Sequence, residues 1–271
     1  MGLSWVLDPG VWQRFLSWES DRTEASDVDE GFESFVTSRV GQAAYHSFYR
    51  PYAEKVWGLP PSLISRTVAK QRVSTSSPWQ TLLQALRPPE ERQKQQSFLY
   101  PTAGMHGLLN NLLHKAWDAG VSVHFNQPRT FDHWPVDAKA ILYSGNLTSL
   151  VPDSNLSHRG LYLLYCAFPK GTLSANDTWY TPETCYWFGR VSQPAQFSEA
   201  LQSSEADVLC VEIPEGAWGD KLDFTSRQDE LVQQLKDAGI LPKEALLLGI
   251  QQEFLPKVYP LYRRQWYKDW A

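Results

Sequence analysis

The stretch FYRPYAEKVWGLPP, residues 48–61, combines aromatic rings, two cations, one carboxylate and a glycine in a short segment. It follows a pattern over residues 27–49 in which apolar side chains recur at steps of three and four, which predicts a helix with Ser26 or Asp27 as its cap. We expect this helix to end at Arg50-Pro51, because proline lacks an N–H and restricts the residue before it.

The rest of the chain predicts further helices and then strands. A helix over 77–87 and a charged connector over 88–97 come first, a helix over 105–119 ends at Gly120, and a helix over 226–238 ends at Gly239. Strands are predicted in segments rich in β-branched and aromatic residues, which are 121–125, 139–143, 160–168, 178–190 and 207–213, with extended chain over 251–262. The pattern predicts a mixed α/β fold.

The composition excludes several classes of protein. Hydrophobic residues make up 42% and charged residues 20% of the 271 residues, which is not the composition of a disordered chain. A net charge of −5 without a long basic run argues against nucleic-acid binding. No apolar stretch approaches the roughly 18 residues of a membrane span, and the N-terminus has no signal-peptide core. We therefore expect a cytoplasmic protein without a membrane span.

Motifs of common catalytic and metal sites are absent from the sequence. The 16 glycines include no G-x-G pair, so the dinucleotide fingerprint is missing, and there is no GxxxxGK[ST], GxSxG or HExxH. The 3 cysteines form no CxxC pair and the 6 histidines are scattered, which argues against a disulfide framework and a metal site. The sequence identifies no catalytic base, so these residues alone leave the activity open.

Two segments together resemble a known family. FYRPYAEKVWGLPP at 48–61 and FLYPTAGM at 98–105, in this order, resemble the FAD-dependent amine oxidase / protoporphyrinogen oxidase-like superfamily, near its UDP-galactopyranose mutase branch. WFGRVS at 187–192 and VEIP at 211–214 are similar to later strands of that family. The resemblance implies a helical substrate-binding portion over 1–96, a partial FAD domain of the glutathione-reductase-like type over 97–150, and a strand-rich substrate-domain portion over 151–271, with a mixed sheet.

The resemblance also implies that parts are missing. The family begins with a GxGxxG unit that holds the FAD pyrophosphate and ends with a segment that closes over the flavin, and this sequence contains neither. We expect an incomplete FAD-dependent oxidoreductase-like chain that does not retain FAD alone, as a split-gene subunit, a degenerate paralogue or a truncated product. Whether it is an enzyme stays open. The alternatives are a non-catalytic subunit that pairs with a separate FAD-binding subunit or with its own copies, and a nucleotide-sugar-binding protein.

The same resemblance assigns residues to two ligands. The residues that it implies for FAD are Lys55, Trp57, Gly58, Gly104 and Met105. The residues that it implies for a small-molecule substrate are Arg50, Tyr52, Arg190, Tyr259 and Tyr262.

Each kind of assignment has a structural alternative. The cation Arg50 either faces an anionic group or pairs with a carboxylate such as Glu54. Trp57 either approaches a flavin or fills a core below a tight turn. Gly104 either offers a helix N-terminus to the flavin or only begins a helix, and Arg190 either binds a substrate anion or lies at a solvated strand end.

Overall fold

The computed structural model describes residues 31–72, 99–127, 138–145, 148, 156–202, 205–216 and 223–264. The helices of this part are α1 (Phe32–Ala44), α2 (Arg50–Trp57), α3 (Arg66–Arg72), α4 (Gly104–Asp118) and α5 (Gln228–Asp237). Its strands are β1 (His158–Pro169), β2 (Thr178–Tyr180), β3 (Arg190–Ser192), β4 (Ala206–Pro214) and β5 (Gly249–Pro260). The predicted mixed α/β class is confirmed. The predicted helix over 77–87, the connector over 88–97 and the domain boundaries after residues 96 and 150 lie outside the described residues.

A π-helical turn, Tyr45–Tyr49, joins α1 to α2. The N–H of Arg50 donates to the carbonyl of Tyr45, five residues earlier, which is the bonding pattern of a π-helix. Pro51 then lies in the first turn of α2, where a helix tolerates proline. The prediction that the helix ends at Arg50-Pro51 is therefore wrong. Helical chain continues to Gly58, which takes the left-handed conformation at φ 65° and closes the last turn.

The five strands form one sheet in the order β2-β3-β4-β1-β5, and every pairing is antiparallel. Tyr165 on β1 lies opposite Cys210 on β4 and opposite Gln251 on β5. The sheet that the structure describes is thus antiparallel throughout, whereas the family resemblance implied a mixed one. The predicted strands over 121–125 and 139–143 are not strands. Within the described ranges, no neighbouring strand offers them the hydrogen-bond partners that a strand needs.

The predicted strand over 178–190 is interrupted. Its two ends form β2 and β3, and residues 181–189 form the connection between them. Pro182 cannot donate to a strand ladder, so the strand ends before it. Thr181 fixes the connection, because its N–H donates to the carbonyl of Gly189 at 3.0 Å and its hydroxyl donates to the carbonyl of Phe188 at 2.6 Å.

The turn after β1 is fixed by the buried carboxylate of Asp207 at the start of β4. Its Oδ2 accepts from the N–H groups of Gly171 at 2.9 Å and Leu173 at 3.1 Å, and its Oδ1 lies 3.1 Å from Nζ of Lys170. Burial opposes the charge, but these hydrogen bonds and the lysine outweigh it and lower the pKa of Asp207. The ionised form therefore stabilises the left-handed turn at Gly171, where φ is 83°.

Two hydrophobic clusters stabilise this fold. The sheet cluster brings Leu164 of β1 and Val211 of β4 together with Leu231 and Leu235 of α5. The helical cluster is formed by α1, the π-helical turn, α2 and α3, and its largest members are Phe35, Tyr45 and Trp57. Each large apolar side chain that is buried in this way contributes about 1.5–3 kcal/mol.

Helix α4 lies outside both clusters. Of its 15 residues, Gly104 is the one that is buried. Leu109 and Leu112 on its predicted apolar stripe are 60% and 55% exposed. The stripe is therefore present, but it has no cover among the residues that the structure describes. No helix in the described ranges combines the length and the apolar character needed to cross a bilayer.

Candidate functional site

A cavity of about 620 Å³ lies between α2 and the sheet, and we call it the tyrosine cavity. Its charged members are Arg72, Arg190 and Glu212. Half of its lining residues are aromatic, and these are Phe32, Phe48, Tyr49, Tyr52, Trp57, Tyr180 and Tyr259. The helical portion and the strand-rich portion of the chain both supply wall residues, so the cavity depends on their mutual packing.

The π-helical turn and α2 together place Tyr52 in this wall. Its ring stacks on Phe48, with centroids 5.5 Å apart and an interplanar angle of 10°. Its edge meets Tyr180 at 5.9 Å. Burial raises the pKa of Tyr52, with smaller contributions from Tyr259 and Tyr180, and burial also raises the pKa of Tyr259. Both phenols are therefore neutral hydroxyl groups at neutral pH, able to donate and accept hydrogen bonds.

An ion pair between Arg190 and Glu212 contributes the charge of the sheet wall. The two residues lie opposite each other on β3 and β4. The Nε of Arg190 donates to Oε1 of Glu212 at 2.9 Å, and its Nη2 donates to the same oxygen. The Glu212 side chain is 8% exposed and the Arg190 side chain is 45% exposed. Burial opposes the charge of Arg190, but the hydrogen bond and the attraction of Glu212 outweigh it and raise its pKa. Arg190 is therefore charged at neutral pH.

A second cavity of about 440 Å³, the lysine cavity, is lined by Lys55, Gly58, Arg159 and Tyr186 among others. The Nζ of Lys55 donates to three backbone carbonyls of the connection between β2 and β3. These belong to Thr181 at 2.7 Å, Glu183 at 2.5 Å and Phe188 at 3.0 Å. Burial lowers the pKa of Lys55 to about 8, so it is an ammonium with three N–H groups at neutral pH.

Arg159 lines the same cavity and explains the glycine at position 58. Its Nη1 donates to the carbonyl of Lys55 at 2.5 Å, and its Nε donates to the carbonyl of Glu215. A Cβ at Gly58 would lie 3.0 Å from the carbon and from one nitrogen of this guanidinium. The group that approaches Gly58 closely is therefore Arg159.

The structure brings some of the sequence-predicted residues together and separates others. Tyr52, Trp57, Arg190 and Tyr259 line the tyrosine cavity, and Lys55 and Gly58 line the lysine cavity. The remaining residues have other surroundings, which are given next. The roles themselves stay predictions.

Four predicted residues lie outside the two cavities. Arg50 is on the exposed side of α2, where its Nε donates to Glu54 at 3.1 Å. Tyr262 packs against the helical cluster, and its carbonyl accepts from Ser65 at 2.8 Å. Gly104, at φ 69°, and Met105 begin α4.

Sequence reasoning missed several residues of these sites, among them Tyr180, Glu212, Arg72 and Arg159. A signal existed for Glu212, because it is the one carboxylate in the apolar run VLCVEIP, residues 208–214. Such a residue in a buried strand needs a cation beside it. Tyr180 and Arg159 had no comparable signal, because their roles depend on which strands lie side by side.

Comparison with known proteins places the fold. No protein-family model matches the chain, and the search of curated proteins gave no match. A crystal structure of reduced UDP-galactopyranose mutase is similar over 93% of this chain and 61% of its own, with a TM-score of 0.65 and 16% identity.

A second structure belongs to a protein from Exiguobacterium sp. 255-15 assigned as a protoporphyrinogen oxidase. It is similar over 96% of this chain and 63% of its own, with a TM-score of 0.62 and 14% identity. The predicted resemblance is thereby confirmed for the fold. The chain spans about three fifths of the length of these two structures.

Proposed function

We propose that this chain is the substrate-binding part of an FAD-dependent oxidoreductase-like protein, with the tyrosine cavity as the binding site. The observation that carries the proposal is that Tyr52, Arg190 and Tyr259 converge on one cavity. The family resemblance assigned all three to substrate from distant parts of the sequence. The fold likeness to the two solved structures supports the FAD-dependent oxidoreductase-like part of the proposal.

The residues assigned to FAD do not fit an FAD site formed by the described residues alone. Lys55 donates its three N–H groups to backbone carbonyls, Gly58 lies beside the Arg159 guanidinium, and the N–H of Gly104 donates to the carbonyl of Pro101 at 2.8 Å. A pyrophosphate needs free N–H groups at a glycine-rich helix start. We therefore infer that FAD binding depends on other segments or on a partner.

The tyrosine cavity favours a small anionic ligand that carries a ring. Two arginines, Arg72 and Arg190, and one carboxylate, Glu212, line the cavity, so the wall has a net charge of about +1. Neutral tyrosine hydroxyls supply donors for polar oxygens, and the aromatic faces suit a sugar or a flat base. This observation favours the second candidate function, a nucleotide-sugar-binding protein.

Absorption spectroscopy on the purified chain tests the role of FAD. We expect no visible flavin absorption, and no gain in melting temperature when FAD is added. A chain that purifies with one flavin per molecule would contradict the inference, because it would hold the pyrophosphate without a GxGxxG unit.

Thermal shift with UDP-galactose tests the ligand class. At 100 times the dissociation constant, a ligand that binds the folded state stabilises it by about 2.7 kcal/mol. We expect Arg72→Gln and Tyr259→Phe to reduce the shift, because both residues line the cavity. Lys243→Gln, at an exposed position after α5, is the matched control and should leave it unchanged. A shift that all three variants retain would place the ligand elsewhere.

We also propose that the chain pairs with a separate subunit that carries the FAD-binding unit. The support is the apolar stripe of α4, where Leu109 and Leu112 are more than half exposed. Purification from the native host, followed by mass measurement in solution, tests this. We expect a complex that contains a chain with a GxGxxG motif, and Leu112→Ser should weaken the complex. If the chain purifies as a monomer without a partner protein, that result would contradict the pairing.

A further inference from the structure

The two residues that flank the connection between β2 and β3, residues 181–189, form one side of the tyrosine cavity. Tyr180 precedes the connection and Arg190 follows it, and both line the cavity. The position of these two side chains therefore depends on how residues 181–189 are held. Within the connection, Thr181 donates to Phe188 and to Gly189, which closes it as a loop. These bonds fix its shape, but not its distance from α2.

The side chain of Lys55 supplies the tie between this connection and α2. Its ammonium donates to the carbonyls of Thr181, Glu183 and Phe188, which lie near both ends of the connection. An ammonium group has three N–H donors, and each donor of Lys55 therefore has one carbonyl acceptor. Bonds from a charged donor are stronger than neutral ones, so this is a firm attachment.

The backbone of Lys55 is held from the other side. Its carbonyl accepts from Nη1 of Arg159 on β1 at 2.5 Å. Gly189, at the end of the connection, lies against the same face of α2, because a Cβ there would lie 3.7 Å from atoms of Tyr52, Lys55 and Val56. The contact between α2 and the connection is therefore close, and Lys55 is at its centre.

We propose that Lys55 is a positioning residue for the tyrosine cavity. By holding residues 181–188 against α2, it sets the distance between Tyr52 on the helix and the Tyr180–Arg190 side of the cavity. This differs from the role in FAD binding that the family resemblance implied. It rests on the proposed function only in taking the tyrosine cavity as the binding site.

Amide hydrogen exchange on three variants tests the proposal without any ligand. Lys55→Met has a side chain of similar length without donors, Lys55→Arg keeps the charge and N–H donors, and Lys243→Met is the control at an exposed lysine. In Lys55→Met, we expect the amides of Thr181 and Gly189 to exchange at least about tenfold faster, since the loss of a single hydrogen bond already corresponds to about that factor.

The expected pattern is local. The amides of Leu164 and Val211 on the central strands should keep their exchange rates in Lys55→Met, and Lys55→Arg should recover most of the protection at Thr181 and Gly189. An equal acceleration over the whole sheet would show a general loss of stability and would overturn the proposal. No acceleration at Thr181 and Gly189 would overturn it as well.

A second measurement on the unaltered chain keeps the proposal testable where Lys55→Met does not fold. With lysine labelled with ¹⁵N at Nζ, a hydrogen-bonded Lys55 should give an ammonium signal that exchanges with water at least about tenfold more slowly than those of exposed lysines. An Nζ signal that exchanges as fast as the others would overturn the proposal. Either result is independent of the UDP-galactose experiment, so the two can fail separately.

Discussion

Replacing Arg190 should destabilise the protein more than neutralising Glu212, although the two groups form one ion pair. The pair is unsymmetrical, because the Glu212 side chain is 8% exposed and the Arg190 side chain is 45% exposed. Arg190→Met leaves the buried carboxylate without its cation. Glu212→Gln keeps an oxygen that accepts the same hydrogen bonds, and it leaves an arginine that water can reach.

The expected magnitudes follow from this difference in exposure. Breaking a buried ion pair by removing one partner costs about 3–5 kcal/mol, and partial access of water to Arg190 places Arg190→Met near about 3 kcal/mol. Glu212→Gln loses only the charge assistance of the hydrogen bonds, about 1 kcal/mol. The predicted difference in the free energy of unfolding is therefore about 2 kcal/mol.

Urea unfolding measures this difference. With an m-value of about 3 kcal/mol/M, the midpoint of Arg190→Met should lie about 0.7 M below that of Glu212→Gln. The exposed pair Arg50–Glu54, with side chains 52% and 40% exposed, is the matched control. Arg50→Met and Glu54→Gln should shift the midpoint alike. Equal midpoints for Arg190→Met and Glu212→Gln, or the reverse order, would refute the assignment of Glu212 as the buried partner.

Three further predictions concern other parts of the fold. Gly58→Ala should lower the free energy of unfolding by about 2–3 kcal/mol, because the alanine would take a left-handed conformation and its Cβ would contact Arg159. Its control is Gly171→Ala, at φ 83° with open space around it, which should lower the free energy of unfolding by only about 1 kcal/mol in the same denaturation assay. Because the pKa of Asp207 is lowered in the folded state, its stabilisation is complete above the unfolded pKa of about 3.9 and is lost as the pH falls through the lower folded value. Asp207→Asn should remove that part of the acid dependence, and an unchanged difference between pH 7 and pH 3 would contradict it. Leu112→Ser, at a 55% exposed position, should change the unfolding free energy of the isolated chain by less than about 0.5 kcal/mol, and a larger loss would mean that α4 is covered.

The sequence predicted those elements whose pattern is local. The strands β1 and β4 and the helix α4 lie where side-chain periodicity placed them, and Gly120 and Gly239 take the left-handed conformation that ends a helix. The end of α2 could not be located in this way. Proline usually ends a helix, but Pro51 lies directly after the π-helical turn and in the first turn of α2, where a helix tolerates it.

The residues of the site were predicted less completely, for a physical reason. Tyr52 and Arg190 were found through a resemblance of short segments, and they do line one cavity. The contacts of Lys55 depend on which loop lies over α2, and those of Arg159 depend on the pairing of β1 with its neighbours. Neither arrangement leaves a periodic pattern in the sequence, so the structure was needed to show them.

The π-helical turn at Tyr45–Tyr49 makes the number of residues in this segment as important as their identity. Each residue advances a helix by about 100°, so deleting one residue here would rotate the whole of α2 by about that angle. Tyr52 would then turn away from Tyr180, and Lys55 would lose its carbonyl acceptors. Natural variation in this segment should therefore be poor in insertions and deletions.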